Sequence, residues 1–152
     1  MPTFAINKKA KFDYDFIQEF EAGLVLTGAE VKSIRLGHVQ LKGSYLTIRD
    51  NELWIRNMHV SKYKKAGGLD HYNPTRDRKA LVHKRELKKL IGKQKTEGLT
   101  IVPISVYAKG DLIKLSFALA RGKRKYEKRE TLKKRDVMRK IQEEVKKTRF
   151  GS

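Results

Sequence analysis

Chemistry in a chain of 152 residues must come from a few side chains, and here the candidates are histidines, carboxylates and a large cation surplus. His38, His59, His71 and His83 show no His-x-x-x-His or similar spacing, so each reads as a surface or packing residue rather than a metal ligand. No glycine-rich loop leads into Lys-Ser/Thr, and no Gly-x-Ser-x-Gly elbow is present. With no cysteine, disulfide scaffolds, thiol nucleophiles and thiolate zinc sites are excluded. Glu19, Glu21 and Glu30 could pair for metal-assisted hydrolysis. Glu30, however, follows Thr27 by three residues, the spacing of a helix capping box. Glu21 is odder, a carboxylate inside the apolar stretch 16–26. It either pairs with a nearby cation, accepts hydrogen bonds from base or sugar donors, or holds a basic side chain in place. These absences predict a protein that is not an enzyme and needs no cofactor.

The cations carry the stronger signal. The chain has 36 Lys+Arg against 17 Asp+Glu, a net charge of +19, well above the magnitude of roughly 2–8 that suffices for solubility in a small domain. Such a surplus favours a polyanion, nucleic acid before an anionic membrane. Residues 121–150 alone hold 14 basic and 5 acidic residues. Two runs stand out: Arg76, Arg78 and Lys79 leading to His83-Lys84-Arg85, and the stretch 121–129. The rings of Phe12, Tyr14, Tyr63, Tyr72, Tyr107 and Tyr126 interleave with these cations. Cations neutralise phosphates and rings stack on unpaired bases, with Tyr63 and Tyr72 best placed to do so. Charge and rings alone leave RNA and DNA open, although no zinc finger, basic zipper or recognition helix is evident.

These residues need a frame. Residues 16–26 read as a strand in which Glu21 and Gly23 suggest a bend, a bulge or a close backbone approach. A short helix follows from Thr27 to about Gly37. Residues 43–50 and 52–60 form a hairpin turning at Asp50-Asn51. Residues 61–79 lack apolar period and read as a long exposed loop. Residues 83–97 turn helical, with Leu87, Leu90 and Ile91 on one stripe and Gly98 at the end. Residues 99–107, with Pro103 marking an edge or bulge, pair with 112–119 around Lys109-Gly110-Asp111. Five strands and two short helices predict a mainly β fold, a small antiparallel barrel with flanking helices, with an open α+β sheet as the alternative. The body is expected over residues 1–120. Residues 121–152 form a basic tail, in which Val137, Ile141, Val145 and Thr148 make a thin helical stripe, unordered when free and folding on a partner. No apolar run is long enough to span a membrane, and the first residues lack a secretory signal, so the expected address is the cytoplasm.

Six segments in order are specific enough to compare: 7–11 (NKKAK), 20–33 (FEAGLVLTGAEVKS), 57–59 (NMH), 74–79 (PTRDRK), 83–87 (HKREL) and 118–123 (ALARGK). Together they resemble the bacterial SsrA-binding protein (small protein B) family over nearly the whole chain. The resemblance implies an oligonucleotide-binding-type β-barrel that binds the tRNA-like domain of transfer-messenger RNA (tmRNA) and enters stalled ribosomes for trans-translation. Partners implied are tmRNA and the ribosome, at its decoding centre, mRNA channel and 16S rRNA. Elongation factor Tu and alanyl-tRNA synthetase are implied as co-players. Carried over by motif, Asn7, Glu21, Leu81 and Lys114 match RNA-binding positions, and the basic run adds Arg76, Arg78, Lys79 and Lys84. Gly122, Lys123, Arg124, Lys128, Arg129, Lys133, Lys134 and Arg135 fall in a tail that the family threads into the mRNA channel. That tail commonly has Asp where Glu127 stands, and some members carry a Trp where this chain reads Lys134-Arg135-Asp136-Val137-Met138. The alternative is a general chaperone for structured RNA or a ribosome-associated protein.

Overall fold

Alternating apolar side chains give each long strand one face to bury, and left-handed turn residues decide where the chain reverses. A computed structural model describes residues 2–64, 71–123 and 138–141. In chain order these form β1 (Thr3–Ile6), α1 (Ala10–Asp13), β2 (Tyr14–Leu24), α2 (Gly28–Arg35), β3 (Val39–Gln40) and β4 (Tyr45–Arg49). There follow β5 (Glu52–Arg56), β6 (His59–Val60), β7 (Arg78–Leu81), α3 (Lys84–Glu97), β8 (Thr100–Lys109) and β9 (Leu112–Gly122). Residues 138–141 are helical.

Seven strands make one antiparallel sheet in the order β1-β8-β4-β5-β7-β2-β9, and β9 pairs with β8 as well. The pairings therefore lead from β8 through β4, β5, β7, β2 and β9 back to β8, with β4 meeting β8 at Leu46 and Ile101. The sheet is OB-like and surrounds the main core. Ile113, Leu115, Phe117 and Leu119 of β9 point into it, as their alternation predicts. Phe20 of β2 stacks on Phe117 with ring centroids 5.4 Å apart. Leu90 of α3 is fully buried, and Leu87 packs against the same cluster. β3 and β6 form a separate two-stranded piece.

Local chemistry explains the boundaries. Asp50 and Asn51 both have positive φ, 53° and 58°, the geometry of the two-residue turn that matches strand twist. Gly110 turns β8 into β9 at φ 61°. The β8–β9 register slips between Pro103 and Ser105, as a proline without an N–H requires. Thr27 caps α2: its side chain accepts the Glu30 N–H at 3.2 Å, and Glu30 Oε1 accepts the Thr27 N–H at 3.0 Å. Thr27→Ala is expected to cost about 1 kcal/mol, seen in urea denaturation as a lower midpoint at unchanged slope.

The structure departs from expectation at several elements. β1 and α1 precede the first element expected, and β2 begins two residues early, at Tyr14. The β2 bulge lies between Phe16 and Gln18, not at Glu21 or Gly23. β7 begins within the last two residues of the expected loop 61–79 and runs past it to Leu81, pairing with β5 and β2. β9 runs to Gly122, opposite Tyr14, beyond the expected strand end at 119. The Lys123 N–H then donates to the Asp13 carbonyl at 2.9 Å, and its Nζ to the Lys11 carbonyl at 2.9 Å. Gly122 and Lys123 are thus held by the body. The rest of the expected tail helix, apart from 138–141, lies outside the described residues, as do Arg124, Lys128, Arg129, Lys133, Lys134 and Arg135. Among the described residues no helix is long and apolar enough to cross a membrane.

Candidate nucleic-acid interface

Residues that face each other across an antiparallel ladder share one side of the sheet. Glu21 of β2 lies opposite Ser116 of β9, and Gly23 lies opposite both Lys114 of β9 and Leu81 of β7. Lys114 in turn pairs with Tyr107 of β8. The buried side chains alternate with these, so Glu21, Lys114 and Tyr107 project from the outer face while Phe20, Ala22, Ile113 and Leu115 point inward. A side chain at position 23 would stand 3.6 Å from Leu81 Cβ and 3.8 Å from Lys114 Nζ. These are ordinary van der Waals distances, and the Lys114 ammonium leans over β2 beside Leu81, which is half exposed.

Glu21 is held on the same face. The Tyr107 hydroxyl donates to Glu21 Oε2, and Lys109 Nζ donates to Oε1 at 3.2 Å. The Tyr107 hydrogen bond, with help from the charges of Lys109 and Lys114, holds the Glu21 carboxyl below its ordinary pKa. Burial and the neighbouring Glu21 push the Tyr107 phenol well above its ordinary value. Glu21 is therefore an ionised acceptor at neutral pH, and Tyr107 a neutral donor. The surface offers an ammonium, a carboxylate, a phenol and an exposed leucine within four adjacent strands. It can pair with a phosphate, accept from a base or ribose donor, and give an apolar rest to a sugar or base face. Three of the residues singled out in the sequence, Glu21, Leu81 and Lys114, are brought together here. Of the partners of Glu21, Tyr107 was noted only as one of the rings among the cations and Lys109 only as part of a turn. Counting strand residues back from the Gly110 turn would have placed Tyr107 opposite Lys114.

Within the basic run 76–79, Arg78 has a different role. Arg78 is fully buried, and its guanidinium donates to Glu30 Oε2 at 2.6 Å, the Met58 carbonyl at 2.6 Å and the Pro74 carbonyl at 3.0 Å. It also reaches the Arg76 carbonyl and the Tyr72 hydroxyl, at 3.3 and 3.2 Å. The expectation that Arg78 contacts nucleic acid is therefore corrected: no ligand can reach it while the domain is folded. Arg76 is partly exposed but donates to both Glu30 oxygens. Burial pushes the Glu30 carboxyl up, and the hydrogen bonds from Arg76 and the Thr27 N–H, with the charge of Arg78, more than offset it, so its pKa is lowered. Lys79 pairs with Glu52 at 3.1 Å. Tyr72, expected as an exposed ring, donates to the Val60 carbonyl at 2.8 Å and is tied to the same network. Tyr63 is partly buried under the Lys32 ammonium, 5.6 Å from the ring centroid.

Asn7 stands apart, at the end of β1, three strands from β2. Its side-chain amide donates to the Pro103 carbonyl at 3.0 Å and its N–H to the Ile104 carbonyl at 2.8 Å, anchoring the chain at the β8 bulge. It borders an open groove of about 880 Å³ with Lys8, Lys9, Lys42 and Tyr45. Lys84 is exposed at the start of α3. Among the described residues no group of three or more His, Asp and Glu side chains could hold a metal ion.

A basic OB-like domain presenting an ionised pair beside an exposed leucine fits the class of a small nucleic-acid-binding domain. Residues 4–147 match the family model described as SmpB protein, and the chain belongs to that family. The SsrA-binding protein of Neorickettsia sennetsu is 52% identical over 141 residues, covering 92% of this chain and 95% of the relative. That of Trichodesmium erythraeum is 49% identical over 140 residues, covering 92% and 90%. A solved structure described as "tmRNA-SmpB: a journey to the center of the bacterial ribosome" superposes with a TM-score of 0.64 at 38% identity, covering 84% of this chain and 92% of the other.

Proposed function

We propose that this protein binds the tRNA-like domain of tmRNA and carries it into stalled ribosomes for trans-translation. The observation that carries the reading is the clustering of Glu21, Leu81 and Lys114 around Gly23 on one outer face, in a chain whose relatives are SsrA-binding proteins. Lys114 pairs with phosphate, Glu21 with Tyr107 and Lys109 sets the hydrogen-bonding pattern, and Leu81 supports a sugar or base. Asn7 and Lys84 extend the contact to either side, and Arg76 and Lys79 lie at its margin. The residues beyond the β9 end, with Arg124, Lys128, Arg129, Lys133, Lys134 and Arg135, form the part that follows the mRNA channel past the decoding centre and 16S rRNA. Gly122 and Lys123 join that part to the body. Elongation factor Tu and alanyl-tRNA synthetase act on the same RNA. The protein is a binding factor of the cytoplasm and catalyses nothing itself.

The test is competition: labelled tRNA-like domain of tmRNA, challenged with excess ordinary tRNA at about 0.15 M salt, where loose phosphate contacts are screened. Retained binding is expected. Ready displacement by ordinary tRNA would make the +19 charge a general RNA adhesive and favour the chaperone reading.

A further inference from the structure

The charge on α3 is arranged, not merely abundant. At 3.6 residues per turn, Lys84, Arg85, Lys88, Lys89 and Lys95 fall within an arc of about 140°, and all five are exposed. No carboxylate enters that arc. The two acids of the helix are turned elsewhere: Glu86 accepts the His83 N–H at 3.2 Å, and Glu97 pairs with Lys93 at 3.3 Å. Leu87 and Leu90 point away from that arc, toward the core, and Ile91, partly buried, lies just outside it beside Lys84. Like charges at i,i+4, as in Lys84–Lys88 and Arg85–Lys89, weaken a helix, so the fold alone gives no reason for them.

A second observation lies in the middle of the same arc. Gly92 is exposed within the helix, and a Cβ built there meets nothing within 4 Å. Glycine in a helix interior is less favourable than any residue but proline. Among the described residues no neighbour requires it. A missing side chain between cations lets an outside backbone approach the helix closely.

We infer that this face of α3 is a second RNA contact, a track for a phosphodiester backbone, taken by the flank of the same RNA that rests on Leu81, Gly23 and Lys114. The inference builds on the reading that the latter surface binds RNA. Continuity assigns the occupant: Lys84 follows Leu81 by three residues, so their Cα atoms are at most about 11 Å apart. From Lys84 to Lys95 the helix extends the contact by about 16 Å. The face has no ring or exposed apolar side chain, so it neither reads bases nor inserts into lipid. It positions the RNA by its phosphates.

The test uses the full chain and the tRNA-like domain of tmRNA as probe. In one variant Arg85, Lys88, Lys89 and Lys95 are all changed to Gln, which keeps helix propensity; circular dichroism checks the fold. The slope of log affinity against log salt is expected to shrink by roughly 2 to 4, with a loss of about 10- to 100-fold near 0.15 M salt. A second variant, Gly92→Gln, changes no charge. It is expected to leave the melting temperature unchanged or higher and to weaken binding several-fold. An unchanged salt slope in the first variant, or full affinity in the second, overturns the proposal. So does unchanged affinity for this RNA with loss of binding to ribosomes alone, which would assign the face to ribosomal RNA. Failure of the proposed function would instead appear as lost discrimination against ordinary tRNA, with the α3 salt slope intact.

Discussion

Replacing Arg78 by alanine is expected to destabilise the domain by about 3–5 kcal/mol, because it leaves the buried Glu30 carboxylate without its fully buried partner. Both side chains are essentially inaccessible to water, Glu30 at 1% and Arg78 at 0%. Arg78→Lys should recover little of this. A single ammonium cannot reproduce the planar fork that joins Glu30 to the Met58, Pro74 and Arg76 carbonyls and the Tyr72 hydroxyl. Urea denaturation of the wild type and both variants measures the effect. RNA binding should fall only in proportion to the unfolded fraction. A variant with wild-type stability and no RNA affinity would return Arg78 to the interface. The same network sets a pH dependence. Glu30 is held below its ordinary pKa, so its contribution is complete above the unfolded value of about 4.3 and is lost as pH falls through the lower folded value. Denaturation midpoints should therefore drop on acidification below about pH 4, and less steeply in Glu30→Gln, which starts less stable.

The other large effect belongs to Lys114. Lys114→Ala is expected to weaken binding of the tRNA-like domain by roughly 10- to 150-fold, the worth of a charge-assisted hydrogen bond at about 1.5–3 kcal/mol. Lys114→Glu should exceed that, because it sets a second carboxylate against the phosphates and near Glu21. The salt slope should shrink by about one in the alanine variant. Lys114 sits on the outer face and packs no core residue, so melting temperatures should stay near wild type. This separates it from Arg78, where affinity and stability fall together. Filter or fluorescence binding across a salt series, with thermal melts of the same samples, decides it. Retained affinity in Lys114→Ala would remove the outer face of β2 and β9 from the binding site.

How far the sequence could be read depended on whether a signal was local. The Asp50-Asn51 turn, the Thr27–Glu30 cap, the Pro103 bulge and the Gly98 helix end were legible because each is set by neighbours a few residues away. β7 was not. Its inward positions are Arg78 and Ala80, so the usual apolar alternation is replaced by a buried charge and a methyl, and the segment reads as a basic loop. β1 and α1 are four residues each and too short to show a period. At the candidate site, Glu21 and Lys114 were visible because a charge within an apolar strand needs a reason. What they face depended on strand register, which brings Tyr107 and Lys109 to Glu21 from more than 80 positions away. Arg78 misled for the same reason: its partner Glu30 lies 48 residues earlier, and an arginine's letter does not say which way it points.

β9 also has a mechanical consequence. It is zipped on both flanks, to β2 from Tyr14 to Gly23 and to β8 from Thr100 to Lys109. Its far end, at Gly122 and Lys123, is where the chain leaves the body, and Lys114 lies near its beginning. If the body is gripped at Lys114 and tension arrives through the residues after Lys123, the load runs along the strand axis. The hydrogen bonds to β2 and β8 then share it in shear instead of opening one by one from an end. Under such a load many ladder bonds must break together, so this is the direction in which the sheet resists most.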